Sequence, residues 1–457
     1  MKRFVEGVSR MQSTLFPEQL DDYISEDNPV RVIDVFVGEM DLSKMGFKMI
    51  PAQTGRPSYH PTTMLKIYIY GYLNRVQSSR RLEHETHRNV ELMWLLGRLT
   101  PDFKAIADFR KNNTKAIQLV CREFIMICRK LDLFSEAFVA IDGSKFKAVN
   151  HRDLNFTHAK LEYRLDIINE SIAKYLSQID SADRQEALVA KVRVERLEKK
   201  IFTLKEEVKQ LNKIEMALKA TPDKQVSLTD PDARSMKTRG TGVVGYNVQA
   251  AVDTKHHIIV THEVTNIGND RAQLSKVAKQ AKAVIGSDNL RVVADRGYYK
   301  GEEILECEQS GITTFLPKPQ TSGNQSKGLF GKRDFIYRSE SDTYGCPGGE
   351  QATYRFSREE KGKIIRRYWS SACLNCSIKP QCTTGQYRRI SRWEHETVLE
   401  AVDERLDDHS DMMKIRRSTV EHPFGTIKYW MGSTHFQMKT LKKVGAEMSL
   451  HVLAYNL

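Results

Sequence analysis

Phe138-Val139-Ala140-Ile141-Asp142-Gly143-Ser144-Lys145-Phe146 and Leu290-Arg291-Val292-Val293-Ala294-Asp295-Arg296-Gly297-Tyr298-Tyr299 share one pattern: a short apolar run, a carboxylate, and glycine soon after. A run of this length bounded by turn residues reads as a buried strand, and the carboxylate as its exit into a loop. Alone, each is a weak signal, since Asp at a strand end is often a turn residue or a cap. Around them, Tyr246 to Asp253, His257 to Thr261 and Ile312 to Leu316 read as strands, and about Asp270 to Ala283 as a helix. The last strand precedes a Gly/Ser/Lys-rich loop near Gly323 to Lys332. Strands mixed with helices, two of them ending in Asp, predict an α/β core with a site at the strand ends.

Between the first strand and the rest lies a long helical stretch. Leu161, Leu165, Ile168, Ile172, Tyr175 and Ile179 step by four and three. After Asp180-Ser181-Ala182-Asp183 the rhythm resumes with Ala187, Ala190, Val194, Leu197, Ile201, Leu204, Val208 and Leu211. These are heptad seams, and the polar break lets them fold back as a hairpin. An intermolecular coiled coil would use the same pattern.

The chain of 457 residues has 71 Lys and Arg against 58 Asp and Glu, a net charge of +13 that points to a polyanionic partner. Between Arg56 and Lys130, 14 basic residues face 6 acidic ones. Within that stretch Pro61 opens a helix carrying Met64, Leu65, Tyr68, Ile69, Tyr72 and Leu73. A second helix, Thr114 to Leu131, puts Ile117, Val120, Cys121, Phe124, Ile125 and Cys128 on one face, which makes both cysteines core residues. Arg75, Arg80, Arg81 and Arg88 cluster after the first helix and are candidates for phosphate contact. No apolar stretch is long enough for a membrane span, no secretory signal follows Met1, and seven cysteines are too few for a disulfide scaffold. A cytoplasmic protein associated with the nucleoid is expected.

Cys346, Cys373, Cys376 and Cys382 contain one Cys-x2-Cys with two outlying thiols, a set able to make a four-thiolate zinc site or to remain reduced. Cys307 falls in a separate helix, and His84, His87 and His422 show no ligand or triad spacing. Near the C-terminus, Lys414-Ile415-Arg416-Arg417-Ser418-Thr419-Val420-Glu421-His422-Pro423-Phe424-Gly425-Thr426-Ile427-Lys428 follows a helical stretch from Thr397 to Asp411. Arg417, Glu421 and Lys428, spaced by four and seven, fall close to one helical face. Three converging carboxylates hold two hard divalent cations, which activate a water or a 3′-hydroxyl and stabilise the leaving oxygen of a phosphodiester.

These passages resemble the bacterial insertion-sequence transposases with a ribonuclease H-like core and a DDE triad. The resemblance is carried by Leu15-Phe16-Pro17, Asp27-Asn28-Pro29-Val30-Arg31, Gly55-Arg56-Pro57-Ser58-Tyr59-His60-Pro61 and Thr100-Pro101-Asp102-Phe103-Lys104-Ala105-Ile106-Ala107-Asp108-Phe109-Arg110. The three carboxylate passages complete it, so it spans most of the chain. It implies that Asp142, Asp295 and Glu421 form the triad and bind two Mg²⁺ or Mn²⁺ ions. Relatives carry Tyr three positions before the Arg that matches Arg417, and here that place is taken by Lys414, a point charge without a ring. The apolar rhythm of Met448, Val452 and Tyr455 still reads as helix at the last residue, where family members usually extend further, and a shortened C-terminus would weaken activity.

The expected organisation is an N-terminal all-α DNA-binding domain (1–134), a ribonuclease H-like α/β core (135–156 and 219–335), an inserted hairpin (157–218), a small cysteine-rich insertion (336–392) and a C-terminal helical part with the third carboxylate (393–457). The expected function is DNA transposition on double-stranded DNA. The enzyme would bind terminal inverted repeats, cleave at the element ends and join 3′-hydroxyls to target DNA as a homodimer in a synaptic complex. Lys145, Lys147, Arg417 and Lys428 would hold phosphates beside the metals. A nuclease without strand transfer and an inactive DNA-binding remnant remain the alternatives.

Overall fold

The computed structural model describes residues 19–50, 57–134, 136–150, 154–182, 188–221, 224–238, 240, 242–319 and 323–457. Leu15-Phe16-Pro17, Gly55-Arg56, and Asp183 and Ala187 of the hairpin's break lie outside the described residues.

The N-terminal region is built from α1 (Pro29–Gly38), α2 (Pro61–Leu73), α3 (Ser79–Thr86), α4 (Val90–Leu96), α5 (Phe103–Asn112) and α6 (Thr114–Lys130). Its recurring polar-then-proline signals are helix starts. Asn28 and His60 each precede a proline at the first helical position and accept a backbone N–H from Val30 and Thr62. Asn89 caps α4 through Leu92 N–H, and Asp102 caps α5 through Ala105 N–H. Cys121 and Cys128 are buried, as the stripe on α6 requires.

The chain then forms β1 (Phe138–Lys147), leaves through β2 (Asn155–Thr157), α7 (His158–Ala182), α8 (Leu188–Ala220) and β3 (Gln225–Ser227), and returns with β4 (Arg234–Lys237) and β5 (Gly242–Asp253). It continues through β6 (Ile259–Thr265), α9 (Leu274–Ile285), β7 (Leu290–Ala294), α10 (Gly301–Gln309) and β8 (Ile312–Phe315). The core sheet runs β4-β5-β1-β7-β8, with β6 also on β5. β1 pairs antiparallel with β5 and parallel with β7, which pairs parallel with β8. This mixed sheet with helices on both faces is the architecture expected of a ribonuclease H-like core. One correction concerns β1, which does not end at Asp142. It runs on to Lys147 because β5 is long enough to pair with it from Asp253 back to Gly245.

α7 and α8 pack on each other through Leu161, Ile168, Leu211 and Leu218, with Arg164 donating to Glu207 at 2.7 Å. A second sheet, with no counterpart in the sequence reading, holds the cysteine segment. It comprises β9 (Ile336–Arg338), β10 (Thr343–Gly345), β11 (Gln351–Glu360), β12 (Lys363–Trp369) and β13 (Ile390–Trp393), all antiparallel in reverse order. After it come α11 (Glu396–Asp408), over the helical stretch expected from Thr397 to Asp411, α12 (Met412–Gly425), which carries Glu421, and α13 (Leu441–Asn456). No described helix is long and apolar enough to cross a membrane.

α13 packs against α2, α6 and β6, so its residues share one continuous core with the N-terminal helices. Glu447 of α13 is fully buried, accepts the N–H groups of Gln437 and Met438 at 2.8 Å, and lies 4.0 Å from the buried Arg110. Arg110 in turn donates to the Tyr72 hydroxyl at 2.6 Å. Glu447→Ala strands a buried guanidinium and two N–H groups, and should cost about 3–5 kcal/mol in urea unfolding. Glu447→Gln, which keeps an acceptor, should cost less; equal losses would show that the polar network is not what holds α13.

Candidate active site

Ile141 pairs with Ala294, so Asp142 and Asp295 are the next pair on neighbouring parallel strands, whose backbones run about 4.8 Å apart. The parallel pairing stops there because Asp295 turns the chain: its Oδ1 accepts Gly297 N–H at 2.8 Å and opens a 3-10 turn, Arg296–Tyr298. Asp142 thus stands at the end of the parallel pair although its own strand continues. Burial raises its carboxyl to about 6; Arg416 and the Gly143 N–H oppose the rise, and Asp295 and Asp270 add to it.

α12 lies across β1 and β7. Met412 and Val420 are buried on it, and Arg416 falls between them at four-residue spacing, so Arg416 faces the sheet. Its Nη2 donates to Asp142 Oδ2 at 2.9 Å, while its buried Nε has no partner. Arg417, the residue singled out by spacing, is exposed one step around the helix. Glu421 is also exposed, and among the described residues no hydrogen bond or ion pair holds it. Lys428 parts from Glu421 because Thr426–Trp430 forms a π turn, whose wider winding changes the face on which the next side chains emerge. Lys428 Nζ donates to Ser144 Oγ at 2.6 Å and to Lys145 O at 2.9 Å, on Asp142's side of the sheet. Burial pulls the Lys428 ammonium down, and the charge of Asp142 opposes this. Strand alternation sends Lys145 and Lys147 to the opposite face, with Gly143.

That opposite face carries a network which the sequence reading missed. Asp270 Oδ1 accepts from Asn247 Nδ2 and Gln249 Nε2, each at 2.7 Å, and the buried Tyr298 hydroxyl donates to Gln249 Oε1. Gln249 sits opposite Gly143, where a Cβ would lie 2.7 Å from Asp270 Oδ1, so only glycine admits this approach. The available signal was Asn247 and Gln249, two polar residues at alternate positions of an apolar strand. The network ties β5, the antiparallel neighbour of β1, to the turn that Asp295 opens.

Asp142 and Asp295 offer adjacent oxygen donors of the kind a hard divalent cation takes. Glu421 does not join them: among the described residues no group of three or more His, Cys, Asp or Glu is arranged to hold a metal ion. The same holds for the thiols. Cys346, Cys373, Cys376 and Cys382 are all free and line one small cavity of about 30 Å³. Burial raises the Cys382 thiol, with the other three cysteines adding to the rise.

Among the helical-region arginines, Arg80 and Arg81 are exposed on the first turn of α3. Arg88 is paired with Glu85, and Arg75 donates to the Trp430 carbonyl in the π turn that ends α12. Arg75 therefore joins the helical region to the segment bearing Lys428.

The position of the Asp142 carboxyl has a measurable consequence in chelator-treated protein. Its folded value near 6 lies above its ordinary value of 3.8, so the folded chain holds this proton more tightly than the unfolded chain. Charging it costs stability progressively between about pH 4 and pH 6, and the cost is constant above. Asp142→Asn removes the dependence, so its stability relative to the parent should climb through that window and then level off. A difference independent of pH in thermal denaturation would contradict this.

Comparison with known families places the chain. A transposase domain (DUF772) matches residues 18–112, over the N-terminal helices, and a transposase DDE domain matches residues 218–457. No curated protein matches. Among solved structures, the cryo-EM structure of a piggyBac transposase synaptic complex with hairpin DNA is similar over 93% of this chain and 73% of that one, at 8% identity and a TM-score of 0.31, too loose a likeness to carry weight. With more than half its length matched by one domain that contains Asp295, Arg416 and Glu421, the chain belongs to the transposase DDE family.

Proposed function

We propose that this chain is an insertion-sequence transposase that binds terminal inverted repeats, cleaves phosphodiester bonds at the element ends and joins the freed 3′-hydroxyls to target DNA. The observation that carries the reading is the Asp142–Asp295 pair at the end of a parallel strand pair, within a chain of the DDE family. Asp142 and Asp295 are the residues that would hold a divalent cation, Mg²⁺ or Mn²⁺, and Glu421 would complete the set only by moving in from the exposed face of α12 on binding. Bound there, the cation would activate the attacking oxygen and stabilise the leaving one. Lys428, on Asp142's face, supplies positive charge for a phosphate, and Arg416 balances the carboxylate. Arg80, whose guanidinium lies over the Phe103 ring at 5.2 Å, and Arg81 are exposed and would meet DNA phosphates from the helical region. Cutting two ends together calls for a dimer.

Asp142→Asn, Asp295→Asn and Glu421→Gln each keep shape and remove a charge. Cleavage and strand transfer on an end-bearing duplex should fall to background, by a factor of about 10³ or more, while DNA binding survives. Glu421→Gln with parental activity would remove Glu421 from the mechanism. Nicking without joining by the parent would favour a plain nuclease, and binding without any turnover an inactive remnant.

The four thiols around one cavity would hold a structural zinc ion in the second sheet if they closed on it from the positions they take here. Metal analysis of protein purified under reducing conditions should give one zinc per chain, lost in Cys373→Ser. Absence of zinc in the parent would return the four to reduced structural thiols.

A further inference from the structure

The second sheet carries a cationic surface that the charge of the N-terminal helices overshadows. Residues 351–393 hold 10 Lys or Arg against 2 Glu, a surplus equal to that between Arg56 and Lys130 in a shorter stretch. Several of these cations are used within the fold. Arg367 pairs with Glu360 at 2.6 Å, Lys363 with Glu302 at 2.9 Å, Arg366 with Asp342 at 3.8 Å, and Arg392 with Glu400. Arg355, Arg358 and Arg389 are different: all are exposed, and among the described residues no carboxylate pairs with any of them.

Two of the three, Arg355 and Arg389, are nonetheless placed. A bulge between Tyr354 and Phe356 inserts Arg355 into β11 and brings it over Trp369, 5.4 Å from the ring centroid. Arg355 Nη2 also donates to Ser371 Oγ at 3.0 Å. Arg389 stands over the same ring at 5.7 Å. Phe356 meets Trp369 edge-on at 6.0 Å and remains 46% exposed, and Arg358 is two residues on along the same face. A guanidinium stacked on an indole keeps its full charge while losing part of its freedom, which lowers the entropic cost of gripping a phosphate. A carboxylate partner would have cancelled that charge instead. The ribbon is anchored beside the candidate site: Lys363 reaches Glu302 on α10, the helix that begins just after the Asp295 turn.

We propose that the face of the β11–β12 ribbon bearing Arg355, Arg358 and Arg389 is a second DNA-backbone contact, which holds duplex DNA on the Asp295 side of the site. It rests on the reading of the chain as a DNA-binding transposase and adds a surface apart from the N-terminal helices. The test measures binding of the full chain to a random-sequence duplex over a series of salt concentrations. Losing three phosphate contacts should flatten the slope of log K against log salt by about 2.7. The variant Arg355→Gln with Arg358→Gln and Arg389→Gln is therefore expected to bind less tightly and less steeply than the parent, and the matching triple Lys variant to recover most of the slope. Arg358→Gln alone touches no packing and should flatten the slope by about 0.9, which keeps the test decisive if the triple variant folds poorly. If the parent binds duplex and Arg80→Gln with Arg81→Gln weakens it, while the ribbon variants keep the parental affinity and slope, this inference is overturned and the functional reading stands. A parent with no affinity for duplex overturns both.

Discussion

Everything at the candidate site follows from β1 being paired along both edges over different lengths. On one edge, β5 holds it from Val139 to Lys147; on the other, β7 holds it only to Ile141. A strand held on both sides is rigid, and a strand whose parallel neighbour departs opens a gap at its side. Asp142 sits at that boundary, fixed by the antiparallel ladder yet uncovered where β7 turns away. The turn is made by Asp295 itself, which accepts an N–H from the chain it redirects. One register thus fixes both the position of the two carboxylates and the space beside them.

Two carboxylates brought together in that space need a counterweight, and the fold supplies it from α12. Arg416 takes the inward position between Met412 and Val420 and reaches Asp142. Its charge costs less to bury there than it would alone, since the pair desolvates together. Behind the sheet, Asp270 spends its acceptors on Asn247 and Gln249, and Tyr298 ties β5 to the Asp295 turn. Glycine at 143 is what lets this rear network approach β1 closely.

Much of this was legible in the sequence, and the exceptions have physical causes. Pro61 and the apolar stripe after it mark α2, the heptad seams mark α7 and α8, and the apolar run before Asp295 marks β7, because each is a local period. The extent of β1 was not legible, since it depends on a partner a hundred residues away. Spacing chose Arg417 over Arg416 because a regular helix puts 417, 421 and 428 together; a π turn and the direction in which α12 is laid on the sheet separate them. The sheet of the cysteine segment was hidden for a related reason. β11 is exposed on both faces along most of its length, so it has no alternation to read.

α13 has a consequence for the order of events during synthesis. The N-terminal helices emerge from the ribosome first, but the core that covers Tyr72 and Arg110 is completed by Glu447, His451 and their neighbours, more than 300 residues later. Contacts so distant along the chain form late and slowly. Until α13 is made, the helices that carry Arg80 and Arg81 stand on an unfinished core with a buried cation lacking its partner. The surface that these helices present is therefore completed only after α13 has been made and has docked.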